Sequence, residues 1–190
     1  MPMAPRGQAL FGPSIGLERA AAAVNAAGRP DRLPPVEAVP GLFADVLRRF
    51  GEPGPLTGIE DEADAIAAVL AELHAIFAAR DAAAAARSLN AVLARHTGPL
   101  RLVEEPGTAW HLHAERAGDE SWAGWFAATS LVAMAVQFAE HGAPPWGVCA
   151  AHDCMRLYVQ TGPGRPRVTC SPTCASRRRQ AALRARRRAA

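Results

Sequence analysis

The sequence has no cysteine before position 149, no lysine at any position, and a single tyrosine. Its opening run, MPMAPRGQALFGPSIG, lacks the charged-then-apolar pattern and cleavage site of an export signal, so the expected compartment is a reducing cytoplasm. That expectation counts against a pair of disulfides as the reason for four cysteines. A glycine-rich phosphate loop, a nucleophile elbow and paired catalytic carboxylates are also missing, so the chain is not expected to be an enzyme. The absence of lysine in so alanine-rich a chain is read as coding bias and carries no mechanism. Long apolar runs are scarce. Residues 122–139 are the one candidate membrane segment, but they are rich in alanine and include Thr129, Ser130 and Gln137, which suits a buried core helix better than a bilayer span.

What is present begins with a core: 190 residues at 49% hydrophobic content suit one domain with an appendage or two small domains. The formal charge of +3 conceals a division. Residues 1–148 carry 11 arginines against 17 acidic residues, whereas residues 149–190 carry 10 arginines against Asp153 alone. The C-terminal quarter therefore has an electrostatic purpose of its own.

Along the chain, Ser14 can cap a helix running to about Ala27, stopped by Gly28 and Pro30. A short helix LFADVLRRF follows a proline-rich link. The run IEDEADAIAAVLAELHAIFAAR then opens with Glu60, Asp61, Glu62 and Asp64, which read as a solvated, dipole-matched helix start. Its apolar positions Ile66, Val69, Leu70, Leu73, Ile76 and Phe77 recur at helical steps. Asp81 can cap a further helix closed by Gly98 and Pro99. PLRLVEE and TAWHLHAE around Pro106 and Gly107 read as a β-hairpin near 99–115, and a long apolar helix is expected from about Asp119 to Glu140. The proline-rich HGAPPWG places a boundary near Ala143, so residues 1–143 are expected to fold as one unit and 144–190 as another.

All four cysteines lie in the second unit, as Cys149-x4-Cys154-x15-Cys170-x3-Cys174. Thiolates bind Zn²⁺ tetrahedrally, and a close pair can bend around one ion while a second pair closes the sphere. Neither spacing fits a Cys-x-x-Cys redox pair. One structural Zn²⁺ held by these four thiols is the expectation; His152 is a fifth candidate, but four thiols suffice. Between the pairs, RLYV and RPRVT flank QTGPG and can form a hairpin. Ser171 and Pro172 can start a helix with Cys174 in its first turn. Knuckle, hairpin and helix in that order resemble a treble-clef zinc site.

The segment VCAAHDCMRLYVQTGPGRPRVTCSPTCASRRRQAALRARRR resembles the CGNR zinc finger, a C-terminal module of bacterial transcription regulators. The region before it is similar to the accompanying ABATE-type domain of stress-induced regulators, through AAAVNAAGRP and SLNAVLARHTGPLRLVEE. Where the family has Cys-Gly-Asn-Arg, this chain has Cys174-Ala175-Ser176-Arg177. The resemblance implies a metal-binding, DNA-binding protein of transcription regulation.

The terminal run RRRQAALRARRR points to the same partner by charge alone. A dense block of one sign repels itself unless an anion neutralises it, and guanidinium forks pair with phosphates. Arg165, Arg167, Arg177, Arg178, Arg179, Arg184, Arg186, Arg187 and Arg188 are the candidate nucleic-acid contacts, with Arg177 and its neighbours the candidate base readers. DNA is the expected partner, RNA is left open, and the alternative is an RNA-binding or protein-interaction adaptor. The front unit is a candidate for a small-molecule effector, a protein partner or a homodimer contact. Trp110, Trp122, Trp125 and Phe126 read first as core and second as the lining of an effector pocket. His111 and His113 alternate on one face of a strand, where two imidazoles can share a metal, and read first as ordinary half-buried histidines. The fold expected is mainly α with a small β-hairpin: a helical N-terminal domain followed by a treble-clef-like four-cysteine zinc finger ending in a basic helix.

Overall fold

A computed structural model describes residues 12–28, 34–52, 54–104, 110–160, 162 and 164–189. In chain order it contains α1 (Pro13–Ala26), α2 (Val39–Arg49), α3 (Ala63–Phe77), α4 (Ala82–His96), β1 (Thr97–Val103), β2 (His111–Glu115), α5 (Trp122–His141), β3 (Trp146–Val148), β4 (Leu157–Val159) and α6 (Pro172–Ala189). Each strand pair, β1 with β2 and β3 with β4, is a separate antiparallel sheet. The fold is thus mostly helical with two small sheets. The turn expected at Pro106 and Gly107 lies outside the described residues.

The helices start where local chemistry allows. Asp81 accepts the Ala84 N–H at 2.7 Å and caps α4, and Ser121 accepts the Gly124 N–H at 2.9 Å to cap α5. The first helix departs from expectation: Pro13 occupies its first turn after Gly12, and Ser14 lies inside the helix instead of capping it. Proline needs no N–H at that position, so the helix begins two residues earlier than a Ser14 cap would allow. Gly98 and Pro99 belong to β1, because Thr97 already leaves the helical conformation.

Helix α5 is the central element. Trp122, Trp125, Phe126, Leu131 and Met134 are all buried along it, with α1, α3 and α4 packed around. It is long and apolar enough to cross a membrane by length and composition, yet 61% of its most apolar window is buried inside the fold. Gly16 on α1 permits the close approach of the two helices, since a Cβ there would stand 2.7 Å from Ala133 Cβ on α5. The Glu62 carboxylate accepts the Trp122 and Ala123 N–H groups at 2.9 and 2.8 Å, so it caps α5 from sixty residues away. Its reading as part of a solvated helix start is corrected: the positive end of a different helix holds it.

Two polar contacts tie elements together. Arg19, almost wholly buried on α1, lays its guanidinium 4.5 Å from the Trp125 ring centre and donates to Thr129 Oγ1 at 2.8 Å. Burial lowers its pKa to about 10, and the nearby Glu52 carboxylate offsets part of that shift. Glu72 on α3 receives Arg95 Nη2 and His96 Nε2 of α4, each at 2.6 Å. Partial burial alone would raise the Glu72 pKa, but the bonds from Arg95 and His96 outweigh it and the net direction is down.

The apolar core does not stop at Ala143. Trp146 meets Phe77 and Phe138 edge to face at 5.8 and 5.9 Å between ring centres, and Leu157 joins the same cluster. Asn25 on α1 donates to Leu157 O at 3.1 Å and accepts Leu157 N–H at 2.9 Å, acting as a one-residue strand against β4. The first two strand residues around the cysteines are therefore anchored in the helical body.

Trp146→Ala is expected to cost about 3–5 kcal/mol, lowering the denaturant midpoint of the helical signal and not only that of the C-terminal segment. Circular dichroism and tryptophan fluorescence followed in one titration check this. Glu72→Gln is expected to cost at most about 1 kcal/mol near neutrality, because the pair is partly solvated. A depressed carboxylate pKa stabilises the fold above the unfolded value and loses that effect as pH falls through the folded value. The variant and the parent should therefore draw together in thermal stability as pH falls below the ordinary glutamate range and through the lower folded value.

Candidate metal centre and basic helix

Strands β3 and β4 pair as Trp146 with Val159, Gly147 with Tyr158 and Val148 with Leu157, so the first cysteine pair occupies the connection between them. Cys149 N–H closes this connection on Arg156 O at 2.8 Å. Asp153 and Met155 adopt left-handed backbone at φ 58° and 53°, curling the knuckle within six residues. Each such residue costs about 1 kcal/mol or more. The hairpin expected between RLYV and RPRVT does not form. The outer edge of β4 is taken instead by side chains, Asn25 at Leu157 and Arg167 at Val159. The later segment closes on the knuckle itself, with Ala150 N–H donating to Val168 O at 2.8 Å.

The second pair is placed by a helix start. Ser171 Oγ accepts the Cys174 N–H at 3.2 Å, and Pro172 opens α6, so Cys174 sits in the first turn as its sequence suggests. All four Sγ atoms lie within 4.8 Å of one another. Cys154 to Cys170 is 3.5 Å, and both Cys170 to Cys174 and Cys174 to Cys154 are 3.6 Å. Four sulfurs around one Zn²⁺ at about 2.3 Å stand about 3.8 Å apart, so this donor set fits one ion. Bound there, Zn²⁺ supplies a cross-link, and four protein ligands leave no position open to water or substrate. Cys170 N–H points at Cys149 Sγ at 3.3 Å, a donor that supports negative charge on that sulfur.

The thiols titrate against one another. Burial and then the neighbouring sulfurs push Cys170 up to about 12, and burial raises Cys154 as well. Ser171 and the adjacent thiols bring Cys174 down to about 7. One thiolate is readily formed in this cluster, whereas four together require a cation. His152 is exposed and stands outside the sulfur group.

The candidate arginines fall into two sets. Arg167 sends its three guanidinium nitrogens to backbone oxygens of Thr169, Val159 and Cys170 at 3.1, 3.2 and 3.3 Å, and its N–H to Gln160 Oε1 at 2.7 Å. Arg177 donates to His152 O at 3.1 Å, bracing the knuckle from the helix, and Arg179 donates to Ser176 Oγ at 2.9 Å. Arg167 and Arg177 thus hold the metal loop, whereas the Arg179 bond stays within α6. Arg178, Arg184, Arg186, Arg187 and Arg188 are exposed on α6, and Arg165 is exposed in the loop before it.

The aromatic pocket suggested by the sequence is not assembled. Trp122, Trp125 and Phe126 are core residues, and Trp110 is exposed at the hairpin. A cavity of about 270 Å³ lies elsewhere, between α1, α2 and α3, lined by Val24, Ala27, Val39, Leu70 and His74. Its apolar lining carries ordinary core periodicity, so no sequence signal marks it.

The purified protein is expected to carry one Zn²⁺ per chain, and Cys170→Ser to lose it together with the order of the C-terminal segment. Elemental analysis and amide resonances of residues 149–174 test this. Arg167→Ala leaves every ligand in place but releases three backbone carbonyls. It is expected to lower zinc affinity by about 10- to 100-fold in competition with a chromophoric chelator.

A comparison with curated proteins finds no match to this chain. A comparison with protein-family models matches residues 146–187 to the CGNR zinc finger. The four converging sulfurs, the braced knuckle and the capped helix all fall within that span, so the C-terminal segment matches the CGNR zinc finger both in sequence and in its metal donor set.

Proposed function

We propose that this protein is a zinc-dependent DNA-binding protein of transcription regulation, working in the cytoplasm and without catalysis of its own. The observation that carries this reading is α6, which holds the metal ligand Cys174 in its first turn and continues as an exposed arginine helix. A metal-fixed start orients the arginine forks relative to the finger. Fixed forks dock on a phosphate lattice with less loss of side-chain freedom than a floppy tail. Among the described residues no carboxylate pairs with Arg178, Arg184, Arg186, Arg187 or Arg188, which leaves these five charges for phosphates. Arg167 and Arg177 act on the finger, and base discrimination passes to Arg178 at the near end of α6. The helical body supplies the contacts of sensing, partner binding or dimerisation.

About four to six phosphate contacts give log affinity for duplex DNA a slope of roughly −4 to −5 against log salt. Neutral replacement of Arg184, Arg186, Arg187 and Arg188 is expected to weaken binding to all sequences alike and to flatten that slope. Fluorescence anisotropy at several salt concentrations measures both, with single-stranded DNA and an RNA hairpin as competitors. Unchanged binding after the four replacements would defeat the reading, and preference for the hairpin would move it to an RNA-binding adaptor.

A further inference from the structure

The zinc finger makes no use of the two histidines on β2. His111 is buried, 8% exposed, and His113 keeps a quarter of its side chain in solvent. Alternation along the strand puts both on one face of the hairpin, beside their cross-strand partners Val103 and Arg101 of β1. Their Nε2 atoms face each other at 3.0 Å. His113 Nδ1 lies 3.1 Å from Glu115 Oε2, which also accepts the Ala114 N–H at 3.1 Å. A carboxylate accepts only, so this contact assigns the His113 proton to Nδ1 and leaves a lone pair on Nε2, which accepts from His111 Nε2–H until an ion takes the place of that proton.

We infer that His111 and His113 form a second metal site, distinct from the cysteine centre, for an exchangeable divalent transition ion. Metal bonds of about 2.0–2.1 Å to imidazole, at angles between square and tetrahedral, separate two ligating nitrogens by about 2.9–3.4 Å. The observed spacing falls in that interval. Glu115 serves as a positioning residue: it is pinned by a backbone N–H and holds the ring in the metal-ready tautomer, the usual arrangement behind a ligating histidine. Two nitrogens select ions that favour imidazole, namely Zn²⁺, Ni²⁺ or Cu²⁺, over Mg²⁺ and Ca²⁺, which take oxygen. The exposed edge of His113 gives an ion entry from solvent, so the ion exchanges more readily than one enclosed by four thiolates. The site lies on the hairpin that packs on α5, so occupancy stiffens the front portion of the chain.

The test uses the full, zinc-loaded protein and Ni²⁺ as the probe. Calorimetry is expected to show one Ni²⁺ bound per chain beyond the resident zinc, with zinc content unchanged. His113→Gln should abolish this event, and Glu115→Gln, which keeps both ligands, should weaken it by about tenfold. Because His111→Gln alters a buried position, the unmodified protein provides the second measurement. Paramagnetic Ni²⁺ should broaden the ring resonances of His111 and His113 before those of His141 or His152. No uptake beyond zinc, uptake unaltered in His113→Gln, or broadening centred on another histidine would overturn the site.

Discussion

Four sulfurs within 4.8 Å of one another set the constraint on which the C-terminal segment depends. As thiolates at this separation they repel one another, and a central dication reconciles their proximity with their charge. The left-handed backbone at Asp153 and Met155, the Arg167 clamp on three carbonyls and the Arg177 brace all exist to hold that convergence. Forty-odd residues with two three-residue strands bury too little apolar surface to do so alone.

The helical body supplies the rest of the support. Trp146 stands among Phe77 and Phe138, and Asn25 pairs with the backbone of Leu157, so the strands that bear the knuckle are seated on α1, α3 and α5. Polar linkage thus fixes the edge of β4 while apolar packing fixes its face. A change in sequence character near Ala143 coexists with a core that runs across it. The reason is that composition follows solvent exposure and partner chemistry, whereas packing follows only shape and apolar area.

Electrostatics divides the molecule differently from packing. The body holds its buried charge, Arg19, against aromatic faces and near Glu52, and spends Glu62 on a helix end. Arg178, Arg184, Arg186, Arg187 and Arg188 of α6 meet no carboxylate among the described residues, and their mutual repulsion favours an extended exposed helix suited to an external polyanion. Two metal-type donor sets follow the same partition. Soft thiolates make the closed structural centre, and borderline imidazoles stand at the half-open edge of the β1–β2 hairpin.

The sequence alone determined the helices, the hairpin near 99–115 and the metal ligands. Periodicity, caps and ligand spacing are local properties, carried by residues a few positions apart. Only the tertiary structure decided which strand pairs with β4, that Glu62 caps α5, that Arg167 and Arg177 serve the finger, and that His111 and His113 meet at 3.0 Å. Each of these depends on a partner or a side-chain direction that residue type leaves open. An arginine in a basic run looks the same whether its fork meets a phosphate or a carbonyl, and a glutamate in an acidic run looks the same whether it meets water or a helix end. Such choices are made by long-range packing, which brings the competing partner within hydrogen-bond reach.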